Sequence, residues 1–175
     1  CEDVDIRGGV GAHLKHHAAG VTWHQADAYC RWLGGHLPTE AQWEVAARGA
    51  SSTRYPWGDD PPCGLGTEIN PFVSHTGDQM ARYPGCDPDR PRNPRTPSGF
   101  GVHDLAWGHA EWVADWYGPY SSDDVSNPVG PKEGTTKGVR GGSWTALDPT
   151  EVRSAARSSL PPGTALYDVG FRCAW

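Results

Sequence analysis

The chain has 175 residues and a formal net charge of −6, with 15 Lys and Arg against 21 Asp and Glu. That length suffices for one domain with a real core, and the mild acidity speaks against the basic field that nucleic-acid binding requires. The 23 Gly and 16 Pro demand many turns, while 9 Trp supply large buried areas and take the chain out of the disordered class.

No apolar run long enough to cross a membrane is present. The chain begins at Cys1, not Met. A Cys at a mature N-terminus suits a lipid anchor, and a fragment boundary accounts for it equally well. His13, His16 and His17 follow in "HLKHH". Their spacing could present ring nitrogens to a transition metal. No carboxylate adjoins them and the segment lacks helix signals, so an exposed His-rich loop is expected.

Two helices are expected next. In "VTWHQADAYCRWLGG", Thr22 and Gln25 form a capping box, Ala26, Tyr29, Cys30 and Leu33 recur at helical spacing, and Gly34–Gly35 stops the run. In "LPTEAQWEVAARG", Thr39 and Gln42 repeat the box, Trp43, Ala46 and Ala47 share a face, and Gly49 ends it. From there the chain becomes loop-rich, with "YPWGDDPP" and the Pro-punctuated "DPDRPRNPRTP". "AEWVAD" reads as a short strand, and "GVRGGSW" and "VGFRCAW" as strands with Gly bulges. The sum is an irregular α+β domain.

The cysteines are Cys1, Cys30, Cys63, Cys86 and Cys173. No CxxC pair exists, so a zinc ribbon is a poor reading, and wide spacing favours disulfides in an oxidising, extracytoplasmic compartment. Nothing matches a G-x-S-x-G elbow, a G-x-G-x-x-G turn or a P-loop.

The two capped helices, with "YPWGDD", "DLAWGHAEWVADWY", "RGGSW", "RSAARS" and "VGFRC", resemble the formylglycine-generating enzyme (sulfatase-modifying factor) family, in order and from about residue 16 to 175. The resemblance implies a C-type-lectin-like α+β fold, poor in regular structure and often calcium-bound. It also implies one domain over 1–175 that lacks the usual N-terminal part. Family members oxidise a substrate cysteine with dioxygen, and the resemblance places two copper-binding thiolates between "GGSW" and "AARS". Thiolates are the ligands Cu(I) requires. Here the stretch reads "TALDPTEVRS" and holds no Cys, so copper is not expected.

The resemblance further implies a disulfide between Cys30 and Cys173. A second family bridge would join positions near Ala47 and Ser154, and both cysteines are missing together. Cys63 and Cys86 flank the loop region and are expected to bridge each other. In the opening of "DLAWGHAEW" the family binds calcium, which takes six to eight oxygens. Asp104 and Glu111 would supply side chains, and Trp107 and His109 carbonyls. Trp107 stands where the family has Gly. A second calcium site would use Asn70 and Asp78. Asp115 is expected to be a surface or turn acid. Trp23, Trp43, Trp57, Trp112, Trp116 and Trp144 are expected to pack loops and core. Arg48, Arg140, Arg153, Arg157 and Arg172 are expected to pair with Glu40, Glu44 and Asp168.

The function expected is a non-catalytic binding or accessory module that docks on a partner protein or larger assembly through the loops at 61–100 and 144–152. The alternative is an oxidoreductase of the family, either formylglycine-generating or of the non-heme iron sulfoxide synthase type, using ligands outside the recognised motif.

Overall fold

The structure is a computed structural model that describes residues 18–60, 98–106, 108–120, 126–146 and 148–175. Cys1, His13, His16, His17, Cys63, Asn70, Asp78, Cys86 and Trp107 lie outside those residues. Two compact units divide the chain. The first takes residues 1–43, 109–140 and 157–175, and the second 44–108 and 141–156.

Helix α1 spans Trp23–Trp32 and α2 spans Glu40–Arg48. Both capping boxes form. Thr22 Oγ1 accepts the Gln25 N–H while Gln25 Oε1 accepts the Thr22 N–H, and Thr39 and Gln42 repeat the exchange. Helix α1 closes in a Schellman motif: Gly35 N–H reaches Cys30 O, Gly34 N–H reaches Arg31 O, and Gly34 takes φ 83°.

The first unit carries a four-stranded sheet. Its strands are β1 (Ala110–Trp116), β2 (Lys137–Arg140), β3 (Ser158–Leu160) and β4 (Val169–Phe171), in the order β3-β2-β1-β4. β1 runs antiparallel to β2 and parallel to β4, and its register with β2 shifts between Trp112 and Trp116. Strand β3, three residues long, has no sequence signal of its own; pairing with β2 defines it.

Helix α1 closes over the sheet. Ala26 and Cys30 pack with Leu37, Ala110, Trp112, Val139, Val169 and Cys173 into one core. Cys30 and Cys173 are bonded, 143 residues apart in sequence. Such a crosslink contributes on the order of 4–5 kcal/mol in the chain-entropy account. Trp43 and Trp112 are fully buried. The indoles tie loops as expected: Trp112 donates to Val21 O, and Trp23 donates to Val113 O.

In the second unit Tyr55 stacks on Trp57 with ring planes 3° apart. Tyr55, Ala106, Ala146 and Val152 form its core, with Trp57 and Trp144 against them. A 3-10 turn at Pro149–Val152 is capped by the Asp148 side chain. Ala47 and Ser154, standing where the family bridge is absent, are both buried. Gly49 is needed: at φ 62° it approaches Gly99 so closely that a Cβ would fall 2.9 Å from the Gly99 Cα.

Candidate functional site: a buried charge cluster opening on a cavity

The N-terminus of α2 brings Glu40 into the first unit's interior. Its carboxylate is 5% exposed and is met by two arginines. Arg157 forks onto it, Nε to Oε1 and Nη2 to Oε2 at 2.7 Å, while Arg140 Nη1 reaches Oε1 at 3.0 Å. Bidentate guanidinium contacts of this kind fix geometry as well as charge. Arg140 sits over the Trp43 ring. Arg157 contacts the faces of Tyr117 and Tyr120 and donates to Gly118 O. The Glu40 contact raises the Arg157 pKa further, against the opposing effect of burial.

Asp115 completes the cluster and corrects an expectation. It is no surface acid: it is 4% exposed, and its Oδ2 accepts the Glu40 N–H at 2.7 Å. That bond caps the first turn of α2 from a distant strand. Burial is the main reason its carboxyl is held above the ordinary range, with repulsion from Glu40 adding to it. Lys137 lies one strand over. Its Nζ donates to Ala114 O and stands 3.9 Å from the Trp23 ring centre and 4.1 Å from that of Trp116. Burial lowers its pKa.

A cavity of about 510 Å³ opens over this cluster. Glu40, Asp115 and Arg157 line it, together with Trp116, Tyr120, Pro128, Val129, Gly130 and Pro131. Its volume falls within the range of small-ligand pockets. Nothing in the sequence pattern brought these residues together, because they come from α2, the end of β1 and the residues after it, the 127–131 loop and the residue before β3.

The expected ion pairs form at Glu40 with Arg140 and Arg157, and at Glu44 with Arg48. Arg172 also pairs with Glu111. Its guanidinium forks onto both oxygens of Glu111, and Trp43 Nε1 donates to Oε2 at 2.7 Å. Glu111 is one of the residues expected to hold calcium. Of the others, His109 is in the same unit, Asp104 is in the second unit at φ 56°, and Trp107 is not described. Among the described residues no group of three His, Cys, Asp or Glu is arranged to hold a metal. The oxygen chemistry suits Ca²⁺ in kind, but Glu111 would have to exchange Arg172 for the ion.

An irregular α+β unit with two capped helices and a short mixed sheet defines a fold class, and comparison with known proteins names it. The Sulfatase-modifying factor enzyme 1-like domain matches residues 3–175, and the chain belongs to that family. It is 35% identical over 173 residues to a formylglycine-generating enzyme of Streptomyces coelicolor, covering 96% of this chain and 55% of that one. It is 36% identical over 167 residues to the serine/threonine-protein kinase pkn1 of Chlamydia pneumoniae, covering 93% of this chain and 24% of the kinase. The chain thus spans about half or less of these relatives. Among solved structures, PvdO from Pseudomonas aeruginosa superposes with a TM-score of 0.66 at 22% identity, covering 93% of this chain and 62% of that one, which establishes the shared fold. The C-type-lectin-like α+β class expected from sequence therefore holds.

Proposed function

We propose that this chain is a non-catalytic binding module of the formylglycine-generating enzyme fold, which docks on a partner protein or larger assembly. One observation carries the reading. The stretch between Trp144 and Ser154, where the resemblance places two copper thiolates, contains no cysteine. Soft sulfur ligands have no substitute there for holding Cu(I) against oxidation. The other family motifs form their expected local structures, from the capped helices to the Cys30–Cys173 bond. The match to a quarter of a protein named as a kinase supports the same reading, since the domain there accompanies other sequence. An extracytoplasmic location belongs to the proposal and draws support from the disulfide.

The test is incubation of the purified chain with copper, dioxygen and a cysteine-containing sulfatase-motif peptide. Unchanged peptide is the expected result, and a formylglycine product overturns the reading. Calcium at Asp104, the Trp107 and His109 carbonyls and Glu111 is a further part of the proposal. Chelation with EDTA is expected to lower Tm and added calcium to restore it. An unchanged Tm removes calcium and leaves Arg172 as the permanent partner of Glu111.

A further inference from the structure

The cavity over the charge cluster has a chemistry that packing alone does not explain. Its walls are largely rings and aliphatic groups: Trp116, Pro119, Tyr120, Pro128, Val129 and Pro131. Such walls hold water back and leave a lining charge in a weak dielectric. Asp115 is that charge. Its Oδ2 accepts the Glu40 N–H, and its own backbone N–H is the other donor acting on the carboxyl. It makes no ion pair among the described residues. Lys137, whose charge it senses, directs its ammonium to Ala114 O and two indole rings instead. Oδ1 lies beside Gly130, where a Cβ would come within 3.0 Å of it, and both residues line the cavity. Glycine at that position keeps a side chain off the oxygen.

The lining cation is already committed. Arg157 is forked onto Glu40, bonded to Gly118 O and packed against two tyrosines. An incoming anion would meet Glu40 and Asp115 beside it. An incoming cation would meet a carboxyl that burial has left short of stabilising partners, and charge complementarity therefore selects a cation.

The geometry points to a site for a primary ammonium on an aliphatic stem, a lysine side chain of a protein partner. A guanidinium wants two parallel acceptors, whereas Asp115 has Oδ2 on the Glu40 N–H and turns Oδ1 toward Gly130 in the cavity lining, which suits a point charge. The proline and valine wall matches the apolar stem that lysine carries behind its charge. A volume of about 510 Å³ admits the flanking backbone as well. This inference deepens the binding-module reading and rests on it for the partner's being a protein.

NMR titration of the full chain with Nα-acetyl-lysine N-methylamide tests it, with Nα-acetyl-norleucine N-methylamide as the uncharged control. The lysine compound is expected to shift the Trp116, Tyr120 and Val129 resonances and to bind about tenfold or more tighter than the control, the ordinary worth of one charged hydrogen bond. Asp115→Asn is expected to remove that difference. Should this variant fail to fold, Val129→Trp, at an exposed position on the cavity's lip, must abolish the lysine shifts with Asp115 in place. Equal binding of the two compounds, no lysine shift, or lysine shifts that survive either variant overturns the inference. Formyl product with lysine binding intact sinks the module reading alone. Absent lysine binding with no formyl product sinks this inference alone.

Discussion

Glu40 and Glu111 are both buried carboxylates forked by an arginine, in the same unit and 71 residues apart in sequence. Glu111 is a closed staple: one arginine and one indole N–H occupy it, and Arg172 keeps 21% of its side chain exposed to water. Glu40 is the hub of a larger cluster. It serves two arginines, one of them with a side chain 0% exposed, and its own backbone N–H is spent on a second acid. A staple can lose its charge to solvent. A hub cannot, because its arginine has no water to turn to. The difference shows why one carboxylate reads as local packing and the other sits beneath a cavity.

The largest expected effect separates the two directly. Glu40→Gln removes the carboxylate charge shared by the buried Arg140 and by Arg157 and is expected to cost about 3–5 kcal/mol, the range for breaking a buried pair. Glu111→Gln leaves a guanidinium that water can reach and is expected to cost roughly 1–3 kcal/mol. Urea denaturation of both variants measures the gap, and equal losses would erase the distinction. Next comes the disulfide. Cys173 adjoins Arg172, and replacing Cys30 and Cys173 by Ser is expected to cost about 2–4 kcal/mol, below the chain-entropy figure because measured losses usually fall short of it. Hydrogen exchange should rise at the Glu111 end of β1 more than around Glu40. A uniform rise would show the two centres to be one cooperative piece.

The smallest effect is in pH dependence. The folded-state pKa of Asp115 is raised, so the folded chain favours its protonated form. Its contribution to stability is present below the ordinary aspartate range and is lost as pH rises through the raised value. Stability of the wild type relative to Asp115→Asn should therefore fall as pH rises across that window. A flat difference would mean the carboxyl is already compensated, and the contrast between a closed staple and an open cluster would narrow.

Local chemistry was legible in the sequence because its partners are three to five residues apart. Thr22 with Gln25, Thr39 with Gln42 and the Gly34–Gly35 stop needed only the chain's own turns to meet. The strand ends "VGF" and "GVR" were visible for the same reason, as apolar residues beside Gly. The family, and with it the Cys30–Cys173 pairing, came from motifs in order along the chain.

Asp115 was not legible, and the reason is physical. Strand β1 is buried at Ala110, Glu111, Trp112, Val113 and Asp115 alike. It lies between β2 and β4, with burial on both faces, so the alternation that usually separates inside from outside carries no information. Arg172 choosing Glu111, and Arg157 and Arg140 converging on Glu40, depend on side chains 61, 117 and 100 residues apart. The sequence by itself settled which segments become helices, where they stop and which family the chain joins, since those follow from contacts within a turn or from motif order. Only the tertiary structure decided which acids are buried and which arginines hold them, since long-range charge pairing is fixed by what the packed fold leaves out of water.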